Sequence, residues 1–342
     1  MNQPATIAAL GAGRMGRGIA LAFAYAGHPV WLLDVKPRDP ASALARQRDA
    51  QAELAATLDA MVALGAFPAA ETPAILARIR YADRPESAKG LAEADFVFEG
   101  VPEVMGAKRE AFAFAGPLMR PEAVLASTTS TMLVTTLAGL VARPERFLNA
   151  HWLNPPHIIP LVELSPHPGT APEARAALIA LLEGIGKVPI ECAAAPGYIV
   201  PRLQSLIMNE AARMVEEGVA TPEAIDKATR YGFGFRYANM GVVEFIDYGG
   251  NDILYYASRY LAQALGSERY ASPPIVARYM HEGRNGLREG RGFYDFTGID
   301  VNAYKQEALG RMLGMLNHLG LQRPPGSVLR QSQSIITEER HE

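Results

Sequence analysis

The sequence contains a histidine and a carboxylate whose spacing could serve proton transfer. His151 ends one short apolar run, and Glu163 follows twelve residues later inside another, residues 161–164. Histidine ordinarily titrates near neutral pH and can act as a base toward a hydroxyl group, while a carboxylate on its second ring nitrogen fixes the tautomer. A glutamate inside an apolar strand is costly unless it is paired. Spacing alone also allows a structural histidine at a strand end and an unrelated edge glutamate.

Other candidate residues give weaker signals. His157 lies in the proline-rich turn between the two runs and is a second possible base. None of the seven histidines has the spacing of a metal-ligand set, and Cys192 is the single cysteine. A multi-thiolate metal site and an internal disulfide are therefore excluded, and we expect no metal centre.

A glycine motif near the amino terminus is typical of a turn that holds a dinucleotide. Gly11, Gly13 and Gly16, with Arg14 and Met15 before the last glycine, form Gly-x-Gly-x-x-Gly between a short apolar run and a helical stretch. The first glycine allows the tight turn, the second lets the backbone approach a pyrophosphate, and the third lets helix pack on strand. Free N–H groups at the helix start attract the phosphates.

An acidic residue after the second predicted strand bears on the choice of cofactor. Asp34 lies 18 residues after Gly16, where a carboxylate accepts hydrogen bonds from the adenosine ribose and repels a 2′-phosphate. This position favours NAD over NADP, whereas the nearby cations Lys36 and Arg38 oppose that preference. A ligand-free turn and a flavin site are the alternatives. A flavin enzyme would need further cofactor-contacting segments, so we expect NAD.

The elements that must position these residues form two halves. Short apolar runs alternate with helical patterns in the first half, which predicts βαβ units and a parallel sheet. After the first two runs, the strand-like segments are residues 96–98, 123–126, 147–153, 161–164 and 187–190. Residues 41–77 predict two helices joined by a turn. Beyond Tyr198 the helical segments are residues 199–217, 222–231, 253–265 and 303–319.

The change of pattern predicts an α/β domain followed by an all-helical domain. We expect the first at residues 1–194, the second at 195–330 and a frayed tail at 331–342. Of the 342 residues, 49% are hydrophobic, and the net charge is -3. There is no basic excess to hold nucleic acid and no uninterrupted apolar run that spans a bilayer. We therefore expect a cytoplasmic protein with a small-molecule substrate.

A set of segments resembles the L-3-hydroxyacyl-CoA dehydrogenase family, whose relatives include 3-hydroxybutyryl-CoA, L-gulonate and L-carnitine dehydrogenases. In family order, they are residues 11–16, 98–103, 126–131, 151–155, 161–163, 196–200 with Arg202, 241–247 and 290–294. The resemblance implies a Rossmann-like amino-terminal domain with a helical hairpin after its second strand, and an all-α carboxy-terminal domain that forms a homodimer. It also implies reversible NAD-dependent oxidation of the C3 hydroxyl of a short-chain L-3-hydroxyacyl-CoA to the 3-keto compound.

The resemblance assigns catalytic roles to residues by position. His151 matches the base, Glu163 its orienting carboxylate, and Ser130 the hydroxyl that contacts the reacting oxygen of the substrate. Without the resemblance, Ser130 would be interpreted as a turn serine. A non-catalytic protein on the same scaffold, as among crystallin-like relatives, is the alternative of another class, but it would need none of these three residues.

The resemblance also assigns residues to the cofactor. Glu103 and Lys108 match the residues beside the nicotinamide ribose, and Asn154 matches one at the nicotinamide end. Without the resemblance, Glu103 and Lys108 would be interpreted as a solvated ion pair and Asn154 as a helix-capping amide.

Three positions depart from the family pattern. Pro201 replaces an asparagine that helps to hold the substrate carbonyl, and proline offers neither the amide side chain nor a backbone N–H. Thr128 stands where asparagine is usual, and Val242 where proline is usual. We expect the fold and hydride transfer to be retained despite these changes. The identity of the substrate stays open.

The distribution of cations favours a second substrate class, a free 3-hydroxy acid. Residues 41–77, the expected hairpin, contain no lysine and only Arg46 and Arg48, although coenzyme A carries several phosphate charges. Arg236, in residues 234–238, resembles an Arg-aromatic-Ala stretch of the gulonate and carnitine branches and could hold a carboxylate. A surface or interdomain salt bridge is the alternative for Arg236.

Overall fold

The computed structural model describes residues 3–325, in which the chain forms two compact units. One unit ends at Asn209 and the other begins at Glu210. The tail predicted at residues 331–342 lies outside the described residues. Among residues 3–325, no helix is both long and apolar enough to cross a membrane.

The first unit is built on one eight-stranded sheet. Its strands are β1 Ile7–Leu10, β2 Val30–Asp34, β3 Ile79–Asp83, β4 Phe96–Glu99, β5 Val124–Ser127, β6 Phe147–Trp152, β7 Leu161–Pro166 and β8 Val188–Glu191. Their order is β3-β2-β1-β4-β5-β6-β7-β8. Neighbouring strands are parallel except β6 and β7, which are antiparallel. This arrangement confirms the expected Rossmann-like sheet.

Helices cover both faces of that sheet. They are α1 Arg14–Tyr25, α2 Pro40–Ala63, α3 Thr72–Ala77, α4 Ser87–Glu93, α5 Met105–Ala115, α6 Val134–Ala138 and α7 Pro172–Gly184. Helix α8, Val200–Glu216, follows β8 and is not part of either core layer. The two helices expected in residues 41–77 are confirmed as α2 and α3. Helix α2 begins where the Asp39 side chain accepts the Ser42 N–H at 3.0 Å, with Pro40 at the first helical position.

The core consists of one apolar layer on each face of the sheet. All four residues of β1 are buried, and alternate residues serve opposite layers. Ile7 and Ala9 pack with α1, α2 and α7, whereas Ala8 and Leu10 pack on the α4 and α5 side. A parallel strand covered on both faces therefore appears in the sequence as a short continuous apolar run.

Strand β3 was not among the predicted strands. Its sequence Ile-Arg-Tyr-Ala-Asp is mostly half-buried, since it lies at the edge of the sheet and pairs only with β2. Arg80 is exposed there. An edge strand needs no continuous apolar run, so the sequence pattern gives little signal.

The second unit is helical, as expected. Beyond α8, its helices are α9 Pro222–Ala228, α10 Phe235–Asn239, α11 Val242–Gly249, α12 Asn251–Ala264, α13 Pro274–His281 and α14 Val301–His318. A π-helical stretch, Thr229–Gly234, joins α9 to α10. On α11, the buried Asp247 accepts the backbone N–H groups of Phe293 and Tyr294 at 2.9 and 2.7 Å. This contact joins the segments 241–247 and 290–294.

The division between the compact units falls inside α8 rather than at residue 194. The first turn of α8 is bound to the sheet of the first unit, because Glu163 on β7 accepts the N–H groups of Ile199 and Val200. The helix thus begins in one unit and ends in the other. A functional boundary at 194/195 stays a prediction.

Candidate active site

His151 and Glu163 are direct cross-strand partners in the antiparallel pair of β6 and β7. Nδ1 of His151 lies 2.8 Å from Oε2 of Glu163. Both residues are buried, at 4% and 0% exposure. Side chains opposite each other in an antiparallel pair share one face of the sheet, which places the imidazole on the carboxylate. The contact that the spacing suggested is therefore present.

Glu163 also fixes the tautomer of the imidazole. Its Oε1 accepts the N–H groups of Ile199 at 2.9 Å and Val200 at 2.8 Å. A carboxylate with these donors on one oxygen accepts from Nδ1–H of His151 with the other, as an ionised carboxylate offers only acceptors. The proton then lies on Nδ1, and Nε2 carries the lone pair. Nε2 is the atom that can take a proton from a substrate hydroxyl.

Tyr198 packs directly on this histidine and was not singled out by the sequence. Its ring stacks on the His151 ring with centroids 5.2 Å apart and planes 9° apart. The hydroxyl donates to the Thr129 carbonyl at 3.0 Å and accepts from Asn149 Nδ2 at 2.8 Å. Burial raises the pKa of this phenol far above its ordinary value, so it stays a donor. Tyr198 thus connects the imidazole to the turn that carries Ser130.

The backbone of Tyr198 has a positive φ of 43°, the only one among the non-glycine residues of the described chain. A left-handed backbone is unfavourable for an aromatic residue and persists where the surroundings fix it. Here the stacking and the two hydrogen bonds fix it. The signal that could have identified the residue is an aromatic side chain directly after Gly197, close to the expected domain boundary.

The turn of Ser130 is held by Glu103. Oε1 of Glu103 accepts the backbone N–H groups of Ser130 and Thr131, each at 3.1 Å, and it also accepts the Thr129 hydroxyl. Burial opposes ionisation, but the hydrogen bonds and Lys108 outweigh it and lower the pKa of Glu103. Ser130 stands exposed at the tip of this turn, where its hydroxyl is available to a ligand.

Lys108 lies beneath the turn, between two carboxylates. Its Nζ is 3.1 Å from both oxygens of Glu99 and 3.3 Å from Oε2 of Glu103. Glu99, which the sequence did not single out, also accepts from Ser127 Oγ at 2.6 Å. Burial raises the pKa of Glu99, while Lys108 and the hydrogen bonds counteract it. Lys108 is only 1% exposed and is absent from the groove lining, so its link to a ligand runs through Glu103.

A groove of about 770 Å³ opens at the carboxyl ends of β1 and β4. This is where the strand order of the sheet reverses, the usual ligand position in such sheets. Of the predicted cofactor residues, Gly11, Gly13, Arg14, Met15, Asp34 and Glu103 line it, and so does Ser130.

At two positions of the glycine turn, a side chain would come too close to neighbouring backbone. Gly11 has φ +115°, and a Cβ there would lie 3.0 Å from the Gly100 carbonyl oxygen. A Cβ on Gly16 would lie 1.8 Å from the Gly11 oxygen, so its place is in helix–strand packing rather than in the groove lining. Gly13 precedes α1, no side chain caps that helix, and nothing lies within 4 Å of its Cβ position. The residues present therefore fit a bound pyrophosphate.

Asn154, Pro201 and Arg236 also lie outside this groove lining. Asn154 lines a separate cavity of about 180 Å³, which Arg14 also borders. Pro201 lies in the first turn of α8, where a missing N–H costs no helical hydrogen bond. Arg236 lies on α10 of the second unit, exposed, with its guanidinium 5.2 Å from the centre of the Phe245 ring. Among residues 3–325, no three His, Cys, Asp or Glu side chains form a group that could hold a metal ion.

A doubly covered parallel sheet, a glycine turn at its switch point and a histidine–carboxylate pair define a dinucleotide-dependent dehydrogenase. The family model "3-hydroxyacyl-CoA dehydrogenase, NAD binding domain" matches residues 6–195, and the model of the family's C-terminal domain matches residues 197–296. The chain therefore belongs to the 3-hydroxyacyl-CoA dehydrogenase family and is an NAD-dependent dehydrogenase.

Similar proteins carry different substrate names. A probable 3-hydroxybutyryl-CoA dehydrogenase of Bacillus subtilis is 33% identical over 84% of this chain and 95% of its own length. A 5-formyl-3-hydroxy-2-methylpyridine 4-carboxylate 5-dehydrogenase of Mesorhizobium japonicum is 30% identical over 90% of this chain and 96% of its own. The crystal structure of a 3-hydroxyacyl-CoA dehydrogenase from Archaeoglobus fulgidus has a TM-score of 0.72 and 30% identity, covering 93% of this chain and 100% of that one.

Proposed function

We propose that the protein oxidises the C3 hydroxyl of a short-chain L-3-hydroxyacyl-CoA, similar to 3-hydroxybutyryl-CoA, to the 3-keto compound, reversibly. The observation that carries the proposal is the buried contact between His151 and Glu163, with Nε2 of the imidazole left as the base. Family membership and the relatives named for 3-hydroxybutyryl-CoA support the substrate class.

In this mechanism the chain's own residues handle the proton. His151 Nε2 takes the proton of the C3 hydroxyl, and Glu163 stabilises the resulting imidazolium through Nδ1–H. Ser130 donates to the reacting oxygen and orients it. The nicotinamide of a bound NAD would supply the acceptor for the hydride that leaves C3.

The cofactor is held by residues of the first unit. Gly11, Gly13 and the start of α1 receive the pyrophosphate, and Asp34 receives the adenosine ribose. Glu103 lines the groove and accepts the N–H of Ser130, and we assign it to the nicotinamide ribose. Lys108 supports Glu103 from below, and Asn154 is assigned to the nicotinamide end by its match to the family alone.

The test is the initial rate of NADH formation with four substrates: L-3-hydroxybutyryl-CoA, free L-3-hydroxybutyrate, L-gulonate and L-carnitine. Turnover of the thioester alone is the expected result. Turnover of a free acid alone would overturn the thioester assignment. The His151→Ala variant, assayed with the preferred substrate, distinguishes enzymatic turnover from a contaminating activity.

A free 3-hydroxy acid is the second candidate substrate class, and Arg236 is the observation that favours it. Its guanidinium is exposed, lies 5.2 Å from the centre of the Phe245 ring and makes no ion pair among residues 3–325, so its bidentate donors are available to a carboxylate. The Mesorhizobium relative is named for a carboxylate-bearing substrate. If a free acid is turned over, Arg236→Met should raise its KM about tenfold or more, and an unchanged KM would exclude this contact.

We also propose that residues 195–330 carry a homodimer interface. On α12, Ile253, Tyr256 and Tyr260 are 60%, 61% and 71% exposed, and their spacing places them on one helical face. An exposed apolar stripe of this kind marks a contact surface. Sedimentation equilibrium should give twice the chain mass, and Tyr256→Glu with Tyr260→Glu should give a monomer. A monomeric wild type would exclude the dimer.

A further inference from the structure

Asp34, the residue expected to exclude a 2′-phosphate, is not a free carboxylate. Arg38 donates to it through Nε at 2.5 Å to Oδ2 and through Nη2 at 3.4 Å to Oδ1. The hydroxyl of Tyr81 on β3 lies 3.3 Å from the same Oδ2. Oδ2 therefore has two donors, whereas Oδ1 has one long contact and keeps the capacity to accept from a ribose hydroxyl.

The Asp34–Arg38 pair is neutral as a unit. Asp34 is 5% exposed, and the hydrogen bond from Arg38 raises the pKa of that guanidinium. Because the positive charge lies within hydrogen-bond distance of the carboxylate, the local field no longer repels an incoming phosphate. The usual basis for excluding NADP is therefore absent at this position.

This end of the groove has an excess of cations. Lys36, Arg38, Arg46 and Arg84 line it, against the carboxylates of Asp34 and Glu110. Arg84 is bound to Glu110 at 2.9 Å, whereas Arg46 donates to the Ala12 carbonyl at 2.9 Å, beside the glycine turn. With each carboxylate matched to one arginine, Lys36 and Arg46 remain to attract an anion.

We propose that this groove binds NADP as well as NAD, with Arg38 receiving the 2′-phosphate of the adenosine ribose. Arg38 lies in the segment between β2 and α2, and its side chain keeps 25% exposure beside the almost buried Asp34. A guanidinium presents parallel N–H donors that match phosphate oxygens. With NAD, Arg38 stays on Asp34 while Oδ1 accepts from the ribose. With NADP, its donors turn to the phosphate.

The experiment measures binding by isothermal titration calorimetry with ADP-ribose and 2′-phospho-ADP-ribose. Neither ligand contains a nicotinamide, so the result does not depend on the substrate or on hydride transfer. The variants are Arg38→Ala and, as a matched control, Arg48→Ala, because Arg48 is exposed on α2 and does not line the groove. Wild type should bind both ligands with dissociation constants within about tenfold of each other, since the pair offers the phosphate no net charge.

Arg38→Ala should raise the dissociation constant of 2′-phospho-ADP-ribose about tenfold or more, because that is the usual contribution of a hydrogen bond to a charged group. ADP-ribose should bind as before or more tightly, because Asp34 is then free for the ribose. Arg48→Ala should change neither constant.

Two results would overturn the proposal: wild type that binds ADP-ribose but not the phosphorylated ligand, or an Arg38→Ala variant with an unchanged ratio of the two constants. Failure of wild type to bind either ligand would overturn both this proposal and the assignment of the groove. A negative substrate screen would leave the calorimetric result intact.

Discussion

Glu163 holds the His151 imidazole with one carboxylate oxygen and the first turn of α8 with the other. The same side chain therefore sets the tautomer of the proposed base and fixes the start of a long helix. Replacing the carboxylate by an amide should keep the contact with α8 and change the contact with His151, so the two roles can be measured separately.

Replacing the proposed base should remove most of the turnover. We expect His151→Ala to lower kcat at least ~100-fold, because general-base catalysis typically contributes about 10²–10⁴. Steady-state kinetics with saturating NAD measures this. The exposed His281→Ala is the matched control and should retain kcat. A near-normal kcat for the His151 variant would refute the assignment.

Glu163→Gln tests the tautomer argument. The amide oxygen can still accept from Ile199 and Val200, which leaves the NH₂ group facing Nδ1 and forces the proton onto Nε2. A base in the wrong tautomer should lower kcat at least about 100-fold, since general-base catalysis contributes about 10²–10⁴, while circular dichroism stays unchanged. Glu191→Gln, exposed on β8, is the control. The tautomer argument fails if the Glu163 variant keeps wild-type kcat.

Tyr198→Phe should separate stacking from hydrogen bonding. The ring can still stack on His151, but the Thr129 carbonyl loses a partner, which should cost about 1–3 kcal/mol in unfolding free energy. We expect kcat to fall about 2–10-fold through looser placement of the Ser130 turn. Urea unfolding and kinetics measure the two effects, with the exposed Tyr231→Phe as control. Equal kcat in wild type and variant would show that the hydroxyl serves stability alone.

Asp34→Ala should shift the relative use of the two cofactors toward NADP. The substitution removes the ribose acceptor and frees Arg38, so both changes act in the same direction. The ratio of kcat/KM for NADP to that for NAD should rise about tenfold or more. Asp59→Ala, exposed on α2, should leave the ratio unchanged. An unchanged ratio in the Asp34 variant would show that Asp34 is not the ribose ligand.

Lys108→Met should destabilise the first unit. The substitution leaves Glu99 buried without its cation, and breaking a buried ion pair costs about 3–5 kcal/mol. Because burial already raises the pKa of Glu99, the loss should be smaller below that pKa, where the carboxyl is protonated, and grow as pH rises through it. Urea unfolding at several pH values measures this, with the exposed Lys305→Met as control. A variant as stable as wild type at every pH would contradict the argument.

Local sequence patterns predicted the glycine turn, the positions of most strands along the chain and the helical second half. These features depend on backbone conformation and on apolar periodicity, which neighbouring residues determine. The contact between His151 and Glu163 could only be suggested, because spacing does not reveal an antiparallel pair within an otherwise parallel sheet. Tyr198 and Glu99 were missed because their partners lie on other elements: Tyr198 packs on β6, and Glu99 binds Lys108 on α5.

The pairing of Arg38 with Asp34 could not be predicted from the sequence, for a different reason. The proximity of Arg38 to Asp34 was visible, but a sequence does not show whether two opposite charges neutralise each other. The effect of an acidic residue on a phosphate depends on that pairing, which requires side-chain geometry.

The antiparallel pair of β6 and β7 brings together the two residues that are proposed to handle the proton. The proposed base and its carboxylate lie within residues 147–166 and are aligned by backbone pairing rather than by distant loops. Evolution can therefore change the molecule that is oxidised by altering residues elsewhere, without rebuilding this segment. A hairpin of this kind, held in place by residues 198–200, is compatible with a family whose relatives are named for thioesters and for a pyridine carboxylate.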